Sequence, residues 1–250
     1  MHPSLPTLIL LTGCFMPTAY GLRDDGILPP SGATEISAHV YQFAVTTASE
    51  PAPWSGFQGR WRLGDLVGLR TNISAAVLPG AADSGLVLWN AEGDVLVGLT
   101  SEPAQPVTVT LSGGLSALVY FSESSVTALP ALQTGFTVSR TLAGTFHPYL
   151  GMRVNPLLVG NTTIAWVHTG AGVGWRPRLG ERVWGTFGLE GGWDHGISAC
   201  AAWSEDEKLG FGDCDQWSVG LYGGVTLEGK RGAARRSAAR AGQAEWAAAR

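Results

Sequence analysis

The chain has 250 residues, only 14% of them charged, and a formal net charge of −4. Its mean hydropathy of +0.12 is high for a water-soluble protein. Yet no run of about 18 apolar residues occurs, which excludes a membrane-spanning helix. There is no basic patch outside residues 229–250, which excludes a nucleic-acid partner.

The chain opens on an apolar core, Leu5 to Phe15, too short to span as a helix, as in an export signal. Within it, Leu11-Thr12-Gly13-Cys14 resembles the lipobox of bacterial lipoproteins. That resemblance implies a signal peptide over 1–13, cleavage before Cys14 and a lipid on Cys14. An ordinary signal cleaved nearer Ala19–Gly21 is the alternative. Residues 14–33 carry Pro17, Pro29, Pro30 and Gly32 together with Arg23-Asp24-Asp25, the composition of a tether.

From residue 34 onward apolar residues alternate with small or polar ones, the signature of strands with two chemically different faces. The first strand, about 34–46, alternates poorly, with Tyr41, Phe43 and Val45 on one face. Next, Phe57, Gly59, Trp61 and Leu63 oppose Gln58, Arg60 and Arg62. Gly64-Asp65 makes a turn, and Val67, Leu69, Thr71 and Ile73 then oppose Arg70, Asn72 and Ser74. Glu92-Gly93-Asp94 and Gly113-Gly114 look like turns, but alternation runs through both without a change of phase, so each predicts one long strand. Further strands follow around 132–138, 146–153, 165–175 and 182–190, and Pro148 requires a strand start or a bulge. The last strand is the clearest: Trp217, Val219, Leu221, Gly223, Val225 and Leu227 oppose Gln216, Ser218, Gly220, Tyr222, Gly224 and Thr226.

Ten strands result; eight or twelve follow if the ambiguous ones are fused or split. The apolar stretches match the roughly 9–11 tilted residues that cross a bilayer. Connections at Gly64-Asp65, 101–106, 140–145 and 177–181 are short and fall on one side. Those at 47–56, 75–84, 122–130, 154–162 and 193–215 are longer and fall on the other. This pattern over 34–228 resembles the small single-chain β-barrels of bacterial outer membranes. The resemblance implies an all-β transmembrane antiparallel barrel, with membrane lipid and lipopolysaccharide as its partners. Residues 229–250 form an Ala/Arg-rich tail, helical by propensity or disordered.

The face opposite the apolar one carries Arg60, Arg62, Arg70, Glu92, Asp94, His147, Arg153, His168, Arg182 and Glu190. In a narrow lumen these must pair, because unmatched buried charge is costly. They predict a plugged barrel rather than a pore. Cys200 and Cys214 flank the acidic stretch Ser204-Glu205-Asp206-Glu207 in the longest connection, and in an exported chain they predict a disulfide. Two free thiols are the alternative. No nucleophile elbow, metal-ligand spacing or nucleotide loop in the right context appears, so neither an enzyme nor a cofactor is expected. A lipid-tethered soluble barrel or sandwich binding an apolar ligand is the competing reading.

Overall fold

Alternation sorts the side chains onto the two faces of one closed sheet. The computed structural model describes residues 22, 25–45, 53–77, 87–99, 107–122, 125–159, 162–203 and 209–229. Its strands are β1 (Ala33–Val45), β2 (Pro53–Arg62), β3 (Val67–Val77), β4 (Val87–Gly98), β5 (Val107–Ser122), β6 (Ser125–Arg140), β7 (Phe146–Val159), β8 (Thr162–Trp175), β9 (Val183–Trp203) and β10 (Leu209–Glu228). Every strand is antiparallel to its neighbours, and β1 pairs with β10 to close the barrel. β4 runs unbroken through Glu92-Gly93-Asp94 and β5 through Gly113-Gly114, each paired on both sides. Pro148 lies one residue outside the β6–β7 ladder, which begins at Ser139–Tyr149, so its missing N–H costs that ladder nothing.

Closure fixes the barrel's dimensions. Starting at Tyr41 and following paired residues through β2, β3 and β4 reaches Tyr120 of β5. The opposite circuit through β10, β9, β8, β7 and β6 reaches Thr108 of the same strand. The stagger is therefore 12 residues for ten strands. With ordinary strand spacings it corresponds to a tilt of about 40° and a backbone radius of about 10 Å. Inward side chains from opposite walls can meet across such a width.

The burial is inverted relative to a water-soluble protein. Outward residues are apolar and exposed: Phe57 is 69% accessible, Leu221 59% and Val219 58%. Inward residues are polar and buried, with Arg60, Asn90, His168 and Asp194 all at 0%. The apolar band of β10 runs from Trp217 to Leu227, eleven residues or ten steps spanning about 33 Å along the strand. The tilt shortens this to about 25 Å, the height of the apolar band on a membrane barrel. Aromatic rings mark both margins. Trp193 packs edge-on to Trp217 at 4.6 Å, and at the other end Trp175 lies 6.2 Å from Phe146 and 5.7 Å from Phe187.

Three sequence expectations are corrected. Three of the far connections are not long loops: β5–β6, β7–β8 and β9–β10 continue as paired ribbons, and β9 runs ten residues past Trp193, while 46–52 and 78–86 lie outside the described residues. Past Trp193 the backbone pairing with β10 persists although the sequence no longer alternates. Tyr41 faces inward rather than with the apolar set, its ring in the space left by its cross-strand partner Gly220. Finally, residues 22 and 25–32 are not a free tether. Leu22 and Asp25 are buried, and the segment bonds to β3, β5 and β9, so it lies within the barrel. The signal peptide, Cys14, the first residues of the tether and all of the tail except Gly229 lie outside the described residues.

Candidate functional site: the lumen

Three polar clusters lie in the interior among the described residues. On the β3–β7 wall, Asp94 accepts from Arg70 Nε at 2.8 Å and Gln133 Nε2 at 2.5 Å. Arg153 Nη2 reaches across to Glu92 at 3.0 Å, Asp94 at 3.1 Å and the Gln133 amide oxygen at 2.8 Å. Asn90 donates to Glu92 at 2.5 Å. Two carboxylates and two guanidiniums are thus interlocked through charge-assisted bonds, which are the stronger kind.

On the β7–β9 wall, His168 lies between two acids, with Nδ1 2.8 Å from Asp194 and Nε2 3.1 Å from Glu190. Glu190 also accepts from Tyr149 Oη at 3.0 Å, Tyr41 Oη at 3.5 Å and the Leu22 backbone N–H at 2.5 Å. Glycines make room for these rings. Tyr222 lies over Gly188 and Tyr149 over Gly172, positions where any Cβ would overlap the ring.

The third cluster lies at the end of the barrel where β1 begins. Arg176 grips Asp25 with Nε at 2.7 Å and Nη2 at 2.6 Å, a two-point fork, and its Nη1 is 3.2 Å from Glu35. Glu35 also accepts from Arg60 Nε at 2.9 Å and from Thr226 at 3.0 Å. Burial pushes the Asp25 carboxyl up, but the Arg176 and Arg60 guanidiniums outweigh it and hold the group below the ordinary carboxylate range. Burial opposes the charge on Arg176 too, and Asp25 and Glu35 outweigh it, raising Arg176 above its usual value.

Of the residues expected in the lumen, Arg60, Arg70, Glu92, Asp94, His147, Arg153, His168 and Glu190 are buried within it. His147 Nδ1 lies 3.2 Å from Thr141 Oγ1. Arg62 and Arg182 are at the rim. The first bonds the Gly64, Asp65 and Pro29 carbonyls, and the second bonds the Glu228 carbonyl at 2.9 Å. The sequence reading missed Asp25, Glu35, Tyr41, Arg176 and Asp194. Cys200 and Cys214 are on β9 and β10 rather than in a loop, opposite Gly212 and Gly196. The register shifts between Gly212 and Cys214, so the two cysteines are not direct cross-strand partners. Their side chains lie outside the described residues.

His168 and Asp194 form the acid–imidazole half of a hydrolytic set. However, Nε2, which a nucleophile would need, faces Glu190, and His168 is fully buried. No protein-family model matches the sequence, and no curated protein does. Among solved structures, the N-terminal β-barrel domain of Pseudomonas aeruginosa OprF is similar at 12% identity and a TM-score of 0.40, covering 79% of this chain and 99% of that one. The Escherichia coli outer-membrane protease OmpT is similar at 10% identity and a TM-score of 0.38, covering 82% and 99%. Neisserial surface protein A is similar at 13% and 0.33, covering 79% and 96%.

Proposed function

We propose that the protein is an integral β-barrel of a bacterial outer membrane, acting as a structural and surface-exposed component of the envelope, with a plugged lumen. The observation that carries this reading is the inversion of burial: an apolar band about 25 Å tall outside and interlocked charges inside. A soluble lipid-tethered barrel would need the opposite arrangement, because its exposed face must be wetted and its pocket apolar. Plugging is supported by the narrow radius, the three clusters and the N-terminal segment, which together leave the walls bridged rather than lined.

In this role the partners are membrane lipid along the apolar band and lipopolysaccharide around the outer girdle. A lipid on Cys14 would add an anchor where the chain enters. The β5–β6, β7–β8 and β9–β10 ribbons would form the cell-surface face. No catalytic activity is proposed.

Membrane extraction and electrophoresis test the reading. The protein should stay with outer membranes through an alkaline carbonate wash, and boiling should shift its gel mobility. Reconstituted in planar bilayers, it should give no conductance steps. Release by carbonate would favour the soluble, tethered alternative.

A further inference from the structure

The geometry points to a carboxylate-binding chamber at the β1 end of the lumen, which Asp25 of this chain fills as a built-in ligand. The inference rests on the plugged-lumen reading and says what holds the plug in place. The barrel wall supplies Arg60 and Arg176 to this region, and the wall acid Glu35 bonds to both. A further acid comes from outside the sheet. Asp25 takes the Arg176 fork at 2.7 and 2.6 Å, with Arg60 Nη1 3.8 Å away. His147 also adds to the positive field at this carboxylate.

Asp25 is the only charged residue among the described residues of the segment, Leu22 and Asp25 to Gly32. The wall's other bonds to the segment read only backbone: Arg70 to the Leu22 carbonyl, Thr110 to the Gly26 carbonyl, Arg176 to the Ile27 carbonyl and Glu190 to the Leu22 N–H. Gly26, at φ +71°, turns the chain directly after Asp25. The one side chain of the segment that the wall's polar groups grip is therefore a carboxylate, while Leu22 packs on Tyr149 and Tyr222. A planar carboxylate matches a guanidinium fork at two points, which a chloride ion cannot do.

Emptied of Asp25, the chamber should take a free carboxylate. The test uses the full chain refolded in detergent, with acetate as the probe. Asp25→Gly should lower the temperature at which heating shifts gel mobility. Sodium acetate should recover at least half of that loss, while sodium chloride at the same ionic strength should not, and acetate should leave the wild type unchanged. The double variant Asp25→Gly/Arg176→Met should not respond to acetate.

If Asp25→Gly refolds poorly, the yield becomes the readout, and an acetate-dependent yield supports the chamber. Equal effects of acetate and chloride would overturn it, as would an Asp25→Gly variant as stable as the wild type. Failure of the plugged-lumen reading would show separately, as conductance by the wild type.

Discussion

Removing the Asp94 charge is the sharpest probe of whether the lumen is dry. Its carboxylate is held by Arg70 at 2.6 and 2.8 Å, Arg153 at 3.1 Å and Gln133 at 2.5 Å, all buried. In Asp94→Asn the shape survives, but two guanidiniums lose the shared anion. Arg153 keeps Glu92, while Arg70 keeps a long 3.4 Å bond to the Leu22 carbonyl. Breaking a buried pair in this way costs about 3–5 kcal/mol, which lowers the folded-to-unfolded ratio by roughly two to four powers of ten. Urea unfolding in micelles, followed by tryptophan fluorescence, measures it directly. Arg70→Met should be costly alone but add little to Asp94→Asn, giving a coupling of about 1–3 kcal/mol in the double-mutant cycle. A cost below about 1 kcal/mol, the level of a solvated surface pair, would mean that water fills the lumen, and the plugged reading would fail.

Three further outcomes follow from the same geometry. Leu221→Arg, midway up the apolar band, should cost about 2–4 kcal/mol, and Leu227→Arg at its margin about 0–1 kcal/mol; equal costs in a micelle unfolding assay would contradict the placement of the band. Gly220→Val should push the Tyr41 ring off its site and cost about 1–3 kcal/mol through overpacking, whereas a neutral effect on the unfolding midpoint would contradict the inward position of Tyr41. Because Asp25 is held below its ordinary value of 3.8, its ionised form adds stability that is complete above that value and lost as pH falls through the lower folded-state value. The stability difference between wild type and Asp25→Asn should therefore be constant at neutral pH and shrink below about pH 3.8; a difference that grew on acidification would contradict the Arg176 pairing.

The strand plan is legible because an apolar residue or glycine recurs at every second position of the outer face, as from Trp217 to Leu227. The same rule carried β4 through Glu92-Gly93-Asp94, where local turn chemistry alone suggests a break. It gives no signal past Trp193, where alternation ends, so the sequence predicts a loop there that takes in Asp194. Alternation puts Tyr41 on the wrong face because a ring with a polar tip suits a bilayer margin as well as a hydrogen-bonded lumen. The N-terminal segment was the largest omission. Pro29-Pro30 and Gly32 suit a tether and a plug equally. No count of wall charges separates them, because buried wall acids outnumber buried wall arginines; the pairing of Asp25 with Arg176 appears only in the fold.

The most direct test of the central claim is quenching by bromine-labelled lipid of single fluorescent labels, placed in a cysteine-free chain at 219, 221 and 225 and, in parallel, at 218 and 226. The first three positions face outward and are exposed, while Ser218 and Thr226 face the lumen and are buried. Strong quenching at the three outward sites, deepest at 221, with little at 218 and 226, is the predicted result. Equal quenching on both faces, or stronger quenching at 218 and 226, would contradict a barrel with lipid outside and a closed polar interior.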